Sequence, residues 1–206
     1  MKRGPCVLGV AEHAGWAHVV CVAAEDKLPT VIARRRVSLI DPGVPTMPYH
    51  HEAKAMTDAD ADALIARVRR SIASHASKAL KNVVTEFAPA HDVVALVIRK
   101  PPFDDLPNTY GPVRESYTLM CAADGMMYQL AICNAARERG LDVRLCRRGE
   151  ETSWAARELG VKPAAVETFV GRTGRPAGPP WAEEQRRAYA AAIAVLAPRV
   201  RGLRIS

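Results

Sequence analysis

The chain has 206 residues, of which 49% are hydrophobic and 25% charged, a globular composition that excludes a disordered protein. This length fits one domain, residues 1–206, and no apolar run reaches the roughly 18 residues that a membrane-spanning helix needs. Lys and Arg outnumber Asp and Glu by 29 to 22, and the resulting charge of +7 favours nucleic acid or another anion as the partner.

The N-terminus and the cysteines indicate a reducing compartment. A short apolar segment ends at Val10 without a cleavage site of small residues behind it, so we expect a cytoplasmic protein with no signal peptide and no membrane association. The five cysteines form no C-x-x-C pair, which argues against a zinc ribbon and against a disulfide scaffold. We therefore expect buried, reduced thiols at Cys6, Cys21, Cys121, Cys133 and Cys146.

The first forty residues predict a three-stranded antiparallel meander. Two short apolar runs, 7–10 and 18–22, flank a turn that contains Gly15, as in a hairpin. A third strand over 30–40 ends at the turn-forming residues 41–43.

A long helix and a buried strand follow the meander. After a loop over 44–56 that is interrupted by prolines, Thr57 has the side chain to cap a helix, and acidic residues occupy its first turn. Apolar residues keep helical spacing as far as Val83. Residues 92–99 are almost continuously apolar, as in a strand that is covered on both faces.

The second half of the chain is mainly helical. We predict a central buried helix over 112–139, a strand over 141–146, a helix over 151–159, a turn or helix over 163–170, a Gly/Pro/Arg loop over 171–180, a final helix over 181–196 and a basic tail over 199–206.

The order β-β-β-α-β-α-β-α predicts an α/β fold, with a mixed sheet and helices on both faces. Three further features are the Gly9-Val10 pair at the end of the first strand, the glycine-bounded hairpin and the alanine-rich stretch 190–196. In these respects the chain resembles the ribonuclease H-like fold, which bacterial Holliday-junction resolvases and many transposases share. The basic glycine loop over 171–175 is also similar to the resolvases.

The resemblance implies carboxylates on the first strand, the fourth strand and the last helix, which hold two Mg²⁺ or Mn²⁺ ions for phosphodiester hydrolysis. This chain departs from that pattern. Ala11 stands where the family has its first aspartate, and Ile98 or Arg99 stands where it has the acid of the fourth strand. The positions of the family's acids in the last helix fall near Arg186 and Tyr189. The acids closest to these places, and therefore the candidate catalytic residues, are Glu12, Asp104, Asp105, Glu183 and Glu184.

The displaced acids leave two functions open. In the first, the domain has lost catalysis, needs no cofactor and binds nucleic acid or a protein partner. In the second, it is an active metal-dependent nuclease or resolvase whose relocated carboxylates converge. Because side chains alternate along a strand, Glu12 should point away from the face of Ala11 unless a bulge intervenes. Either function is compatible with a homodimer.

Arginines gather around the last loop and helix, and guanidinium groups suit bidentate phosphate contacts. The candidate nucleic-acid-binding residues are Arg172, Arg175, Arg186 and Arg187. Aromatic residues make up only 5% of the chain, and no stretch interleaves them with basic residues. The sequence therefore gives no indication of a stacking platform for single strands.

Asp124 is the only charged residue between Glu115 and Arg137, in a segment that is otherwise apolar. Burying a carboxylate without a partner is costly, so we expect a buried polar pair here. Tyr128, at i+4, and Tyr117, at i−7, share its side of the helix, and an arginine from elsewhere is a further candidate.

The sequence His50-His51-Glu52 has metal-binding residue types but lies in a predicted extended loop. Neighbouring side chains point in different directions there, and no spaced fourth ligand follows. We therefore interpret it as a surface loop, and no metal site is assigned.

Overall fold

A five-stranded mixed sheet forms the centre of the computed structural model, which describes residues 3–107, 109–173 and 181–205. The strand order is β3-β2-β1-β4-β5; β1, β2 and β3 form the expected antiparallel meander, and β4 and β5 run parallel to β1. The strands are β1 Gly4–His13, β2 Trp16–Glu25, β3 Leu28–Ser38, β4 His91–Arg99 and β5 Asp142–Cys146.

Helices cover both faces of the sheet, as the α/β prediction required, and each face has its own hydrophobic core. One face carries α1 Asp58–Phe87, α2 Tyr110–Arg114 and α3 Tyr117–Arg137, and the other carries α4 Glu151–Leu159, α5 Pro163–Thr173 and α6 Glu183–Leu196. Within the described ranges, no helix is long and apolar enough to cross a membrane.

The start of α1 is fixed by the cap that the sequence predicts. The Thr57 hydroxyl accepts a hydrogen bond from the Asp60 backbone N–H at 3.2 Å and donates one to Asp60 Oδ2 at 2.7 Å. This pair satisfies a backbone donor that the first turn leaves without a partner. The buried stripe of α1 then keeps helical spacing through Leu64, Val68 and Ile72.

The predicted helix over 112–139 is wrong in its bounds, because the segment forms two helices, α2 and α3. The helical conformation is interrupted at Ser116, which has an extended backbone (φ −131°, ψ 117°). Its hydroxyl accepts a hydrogen bond from the Leu119 N–H at 3.3 Å. Serine competes well for this role because its hydroxyl replaces a missing helical acceptor. The expected burial is confirmed for α3, which has buried residues from Met120 to Ala136.

Helix α6 packs directly on β1 and β2, and a glycine makes the close approach to β1 possible. A Cβ on Gly9 would lie 2.2 Å from the Ala188 carbonyl oxygen. The residues from Ala188 to Leu196 are all buried, and the small side chains of Ala188 and Ala192, which face Gly9, let the backbones come together. This contact sets the first turns of α6 beside the end of β1.

The basic C-terminal segment lies against the protein. Leu203 and Ile205 pack on the core beneath α6, and the Arg204 N–H donates to the Lys27 carbonyl at 2.9 Å. Arg199 forms an ion pair with Asp142 on β5.

Candidate functional site

A cleft of about 390 Å³ opens where the carboxyl ends of the parallel strands β1, β4 and β5 meet the first turns of α6. Ligands of open α/β sheets bind at this edge, because helices do not cover it and loops project there. The charged side chains of the cleft are three arginines and three glutamates, namely Glu12, Arg99, Arg148, Glu151, Glu184 and Arg187.

Glu12 lies at the end of β1, and its carboxylate is held by two neighbours. Its Oε1 accepts a hydrogen bond from Arg99 Nη2 at 2.7 Å and another from Gln129 Nε2, on α3, at 2.8 Å. The side chain is only 5% exposed. Ala11 packs against the core beneath α6, so Glu12 reaches towards α3, as the alternation of strand side chains requires.

The two acids of α6 have different surroundings. Glu184 lines the cleft, and its Oε1 lies 4.0 Å from His13 Nε2. Glu183 forms an ion pair with Arg187 one turn further along the helix. Of this pair of acids, only Glu184 is in the cleft.

Asp104 and Asp105 do not line the cleft. Asp104 is 91% exposed and lies 3.3 Å from Lys100 Nζ, and the exposed Asp105 accepts a hydrogen bond from the Leu106 N–H. Among the described residues, no three or more His, Cys, Asp or Glu side chains form a group that could hold a metal ion. The residues present therefore do not fit the two-metal centre that the resemblance implies.

Of the four predicted phosphate-binding arginines, the three that the structure describes do not all line the cleft. Arg187 lies in the cleft, whereas Arg186 donates to the Trp181 carbonyl at 2.9 Å and lines a second cavity with Arg172. Arg175 lies outside the described residues. Arg99 and Arg148 join Arg187 in the cleft instead.

Sequence reasoning overlooked Arg148 and Gln129 and treated Arg99 only as a departure from the family pattern. Arg148 follows the end of β5, so its position beside β1 depends on the pairing of β4 with both strands. The adjacency of these strand ends is the signal that could have found Arg148, because parallel neighbours end at one edge.

Asp124 has the buried polar contact that the sequence predicts, but the partner is His50. The two are joined by a hydrogen bond between Asp124 Oδ2 and His50 Nδ1 at 2.6 Å. Tyr128 instead donates its hydroxyl to the Thr46 carbonyl at 2.8 Å. Burial raises the pKa of Asp124, and the hydrogen bond from His50 opposes that shift.

No protein-family model matches this chain, and no curated protein matches it significantly in sequence. Solved structures do match, among them two of RuvC. Thermus thermophilus RuvC is 14% identical, with 92% of each chain covered and a TM-score of 0.51. T. thermophilus RuvC in complex with a Holliday junction substrate is also 14% identical, with 92% of this chain and 90% of that chain covered and a TM-score of 0.52. These similarities and the sheet order together show that the chain has the ribonuclease H-like fold.

Proposed function

We propose that this protein is a ribonuclease H-like domain that binds nucleic acid through the cleft at the ends of β1, β4 and β5 without hydrolysing it. The observation that carries the proposal is the presence of arginines in that cleft. Arg99 occupies the end of β4, where the fold's enzymes place an acid, and Arg187 faces the cleft from α6. Arginines there would contact phosphate directly instead of recruiting a cation.

The partners of the charged groups support binding of an anion. Glu12 is bonded to Arg99 and Gln129, and Glu151 accepts a hydrogen bond from the Gly149 N–H at 2.9 Å. Arg148, by contrast, forms no ion pair with any described residue. Glu12 and Glu151 are thus already engaged, while at least one guanidinium is available for a phosphate.

The nature of the ligand follows from charge and from the structural relative. A net charge of +7 favours a polyanion. One matching RuvC structure is a complex with a Holliday junction substrate. We therefore take DNA as the ligand to test first, with branched and duplex forms side by side.

The test is fluorescence anisotropy with a labelled four-way junction, a duplex and a single strand over a range of salt concentrations. Three cleft arginines on phosphates predict a log–log slope of affinity against salt of about −2 to −3. Arg148→Ala and Arg187→Ala should each weaken binding about tenfold and flatten the slope by about one. Arg70→Ala, at an exposed position of α1 on the other side of the sheet, is the matched control.

The alternative function, a nuclease that depends on Mg²⁺ or Mn²⁺, is examined with the same substrates. Cleavage that requires the added metal and disappears in Glu184→Gln would overturn the non-catalytic proposal. Absence of binding at low salt, or equal binding by the arginine variants and by Arg70→Ala, would overturn the role of the cleft itself.

A further inference from the structure

Three neighbouring strands build a stack of flat side chains at the mouth of the cleft. The His13 ring lies parallel to the Trp16 indole, with centroids 3.9 Å apart and an interplanar angle of 12°. The Arg36 guanidinium lies 4.4 Å from the centroid of the indole ring. The His18 ring stands nearly perpendicular to the indole, at an interplanar angle of 84° and with ring centroids 4.9 Å apart.

His13 and Arg36 approach the indole from opposite neighbours of β2. His13 is on β1 and Arg36 is on β3, and these strands flank β2, which carries Trp16. The column therefore runs from His13 through Trp16 to Arg36. All three side chains lie on the α6 side of the sheet, because His13 faces Glu184 and the other two share its face by cross-strand pairing.

The two ends of this column differ. The His13 end lines the cleft and lies 4.0 Å from the carboxylate of Glu184. The Arg36 end is exposed, and β3 is the edge strand of the sheet. A planar ligand therefore has access to the column from the exposed Arg36 end.

We propose that the column formed by His13, Trp16 and Arg36 binds an unpaired nucleobase, which stacks at the Arg36 end while the adjoining phosphates reach the cleft arginines. This inference rests on the proposed function and narrows the ligand to nucleic acid with single-stranded or splayed bases. Bases stack on guanidinium planes as well as on aromatic rings, and duplex bases are not free to do so. The Arg36 guanidinium beside the base also attracts the negatively charged phosphates of the adjoining nucleic-acid backbone.

The ligand itself supplies the sharpest test. We compare a 15-nucleotide oligothymidylate with an abasic strand of the same length, which keeps the phosphates and removes the bases. The wild-type protein should bind the oligothymidylate at least about fivefold more tightly, as expected for one stacked base. Equal affinities for the two strands, or binding of neither strand by a protein that binds the duplex or the junction, would overturn this inference and leave the proposed function intact. Binding of no nucleic acid at low salt would overturn both.

Variants test whether the preference for the strand with bases depends on the column. Trp16→Leu should abolish the preference for the strand with bases, whereas Trp16→Phe should keep part of it. Tyr117→Leu removes an aromatic side chain that is 64% exposed on the opposite side of the sheet, and it should leave the preference unchanged. If a folded Trp16→Leu protein keeps the full preference, the base does not stack on this column and the inference is overturned. Thermal unfolding measured by circular dichroism verifies that each variant is folded.

Discussion

The carboxylate of Asp124 lies 2.6 Å from His50 Nδ1, and this contact joins α3 to the loop between β3 and α1. The same carboxylate accepts hydrogen bonds from the backbone N–H of Tyr49 at 3.0 Å and of His50 at 3.3 Å. One buried acid thus satisfies three donors of Tyr49 and His50, which belong to neither a helix nor a strand. Because Tyr128 also holds this loop at Thr46, two residues of α3 fix its path over the core.

We expect Asp124→Ala to lower the free energy of unfolding by about 3 kcal/mol, because it leaves buried backbone donors and the imidazole without an acceptor. Urea denaturation measures this loss. Asp92→Ala, at an exposed position of β4, is the control and should change the stability by less than about 0.5 kcal/mol. A loss as small as that of the control would show that the contact does not stabilise the loop.

Two glycines should respond to alanine in opposite ways. At Gly9 the new Cβ would meet the backbone of Ala188 at 2.2 Å, so Gly9→Ala should cost about 3 kcal/mol or more and displace α6. At Gly125, inside α3, a Cβ has nothing within 4 Å, so Gly125→Ala should stabilise the protein by about 0.5–1 kcal/mol. Thermal unfolding of both variants checks the pair, and a stable Gly9→Ala protein would contradict the packing of α6 on β1.

Removal of the Glu12 carboxylate should destabilise the edge of the sheet. Glu12→Ala leaves Arg99 and the amide of Gln129 without their shared acceptor, at a cost of about 1–3 kcal/mol. Glu12→Gln keeps an acceptor oxygen and should cost less. Urea denaturation ranks the two variants against Glu115→Ala, at an exposed position between α2 and α3. Equal stability of all three would mean that the contacts of Glu12 contribute nothing to folding.

The five cysteines should separate into one reactive and four protected thiols. Cys121 is exposed, whereas Cys6, Cys21, Cys133 and Cys146 are buried. Desolvation raises the pKa of Cys6 to about 12 and of Cys146 to about 12. At pH 8 these buried groups stay protonated, and the thiol is not the nucleophilic form.

Titration with an aromatic disulfide reagent at pH 8 should therefore show one fast thiol in the native protein and five after unfolding. Cys121→Ser should remove the fast phase. A fast phase that survives this substitution would show that the core around a buried cysteine opens readily.

The sequence by itself determined the elements and their order, because each signal is local along the chain. Thr57 and Asp60 form the predicted cap three residues apart, and the apolar run over 92–99 forms β4. The prediction of one helix over 112–139 was wrong for a related reason. Apolar periodicity continues across Ser116, although its hydroxyl caps the start of α3 and α2 has ended before it.

The tertiary structure alone decided which distant residues share a site. The apolar surroundings of Asp124 predicted a buried partner. That partner, His50, is 74 positions away in the sequence, and only the fold brings it within hydrogen-bond distance. The composition did not predict a stacking surface. His13, Trp16 and Arg36 belong to three different strands, and their side chains become neighbours only when those strands pair in the sheet. Strand pairing converts separations along the chain into neighbours about 5 Å apart, and no local pattern encodes that step.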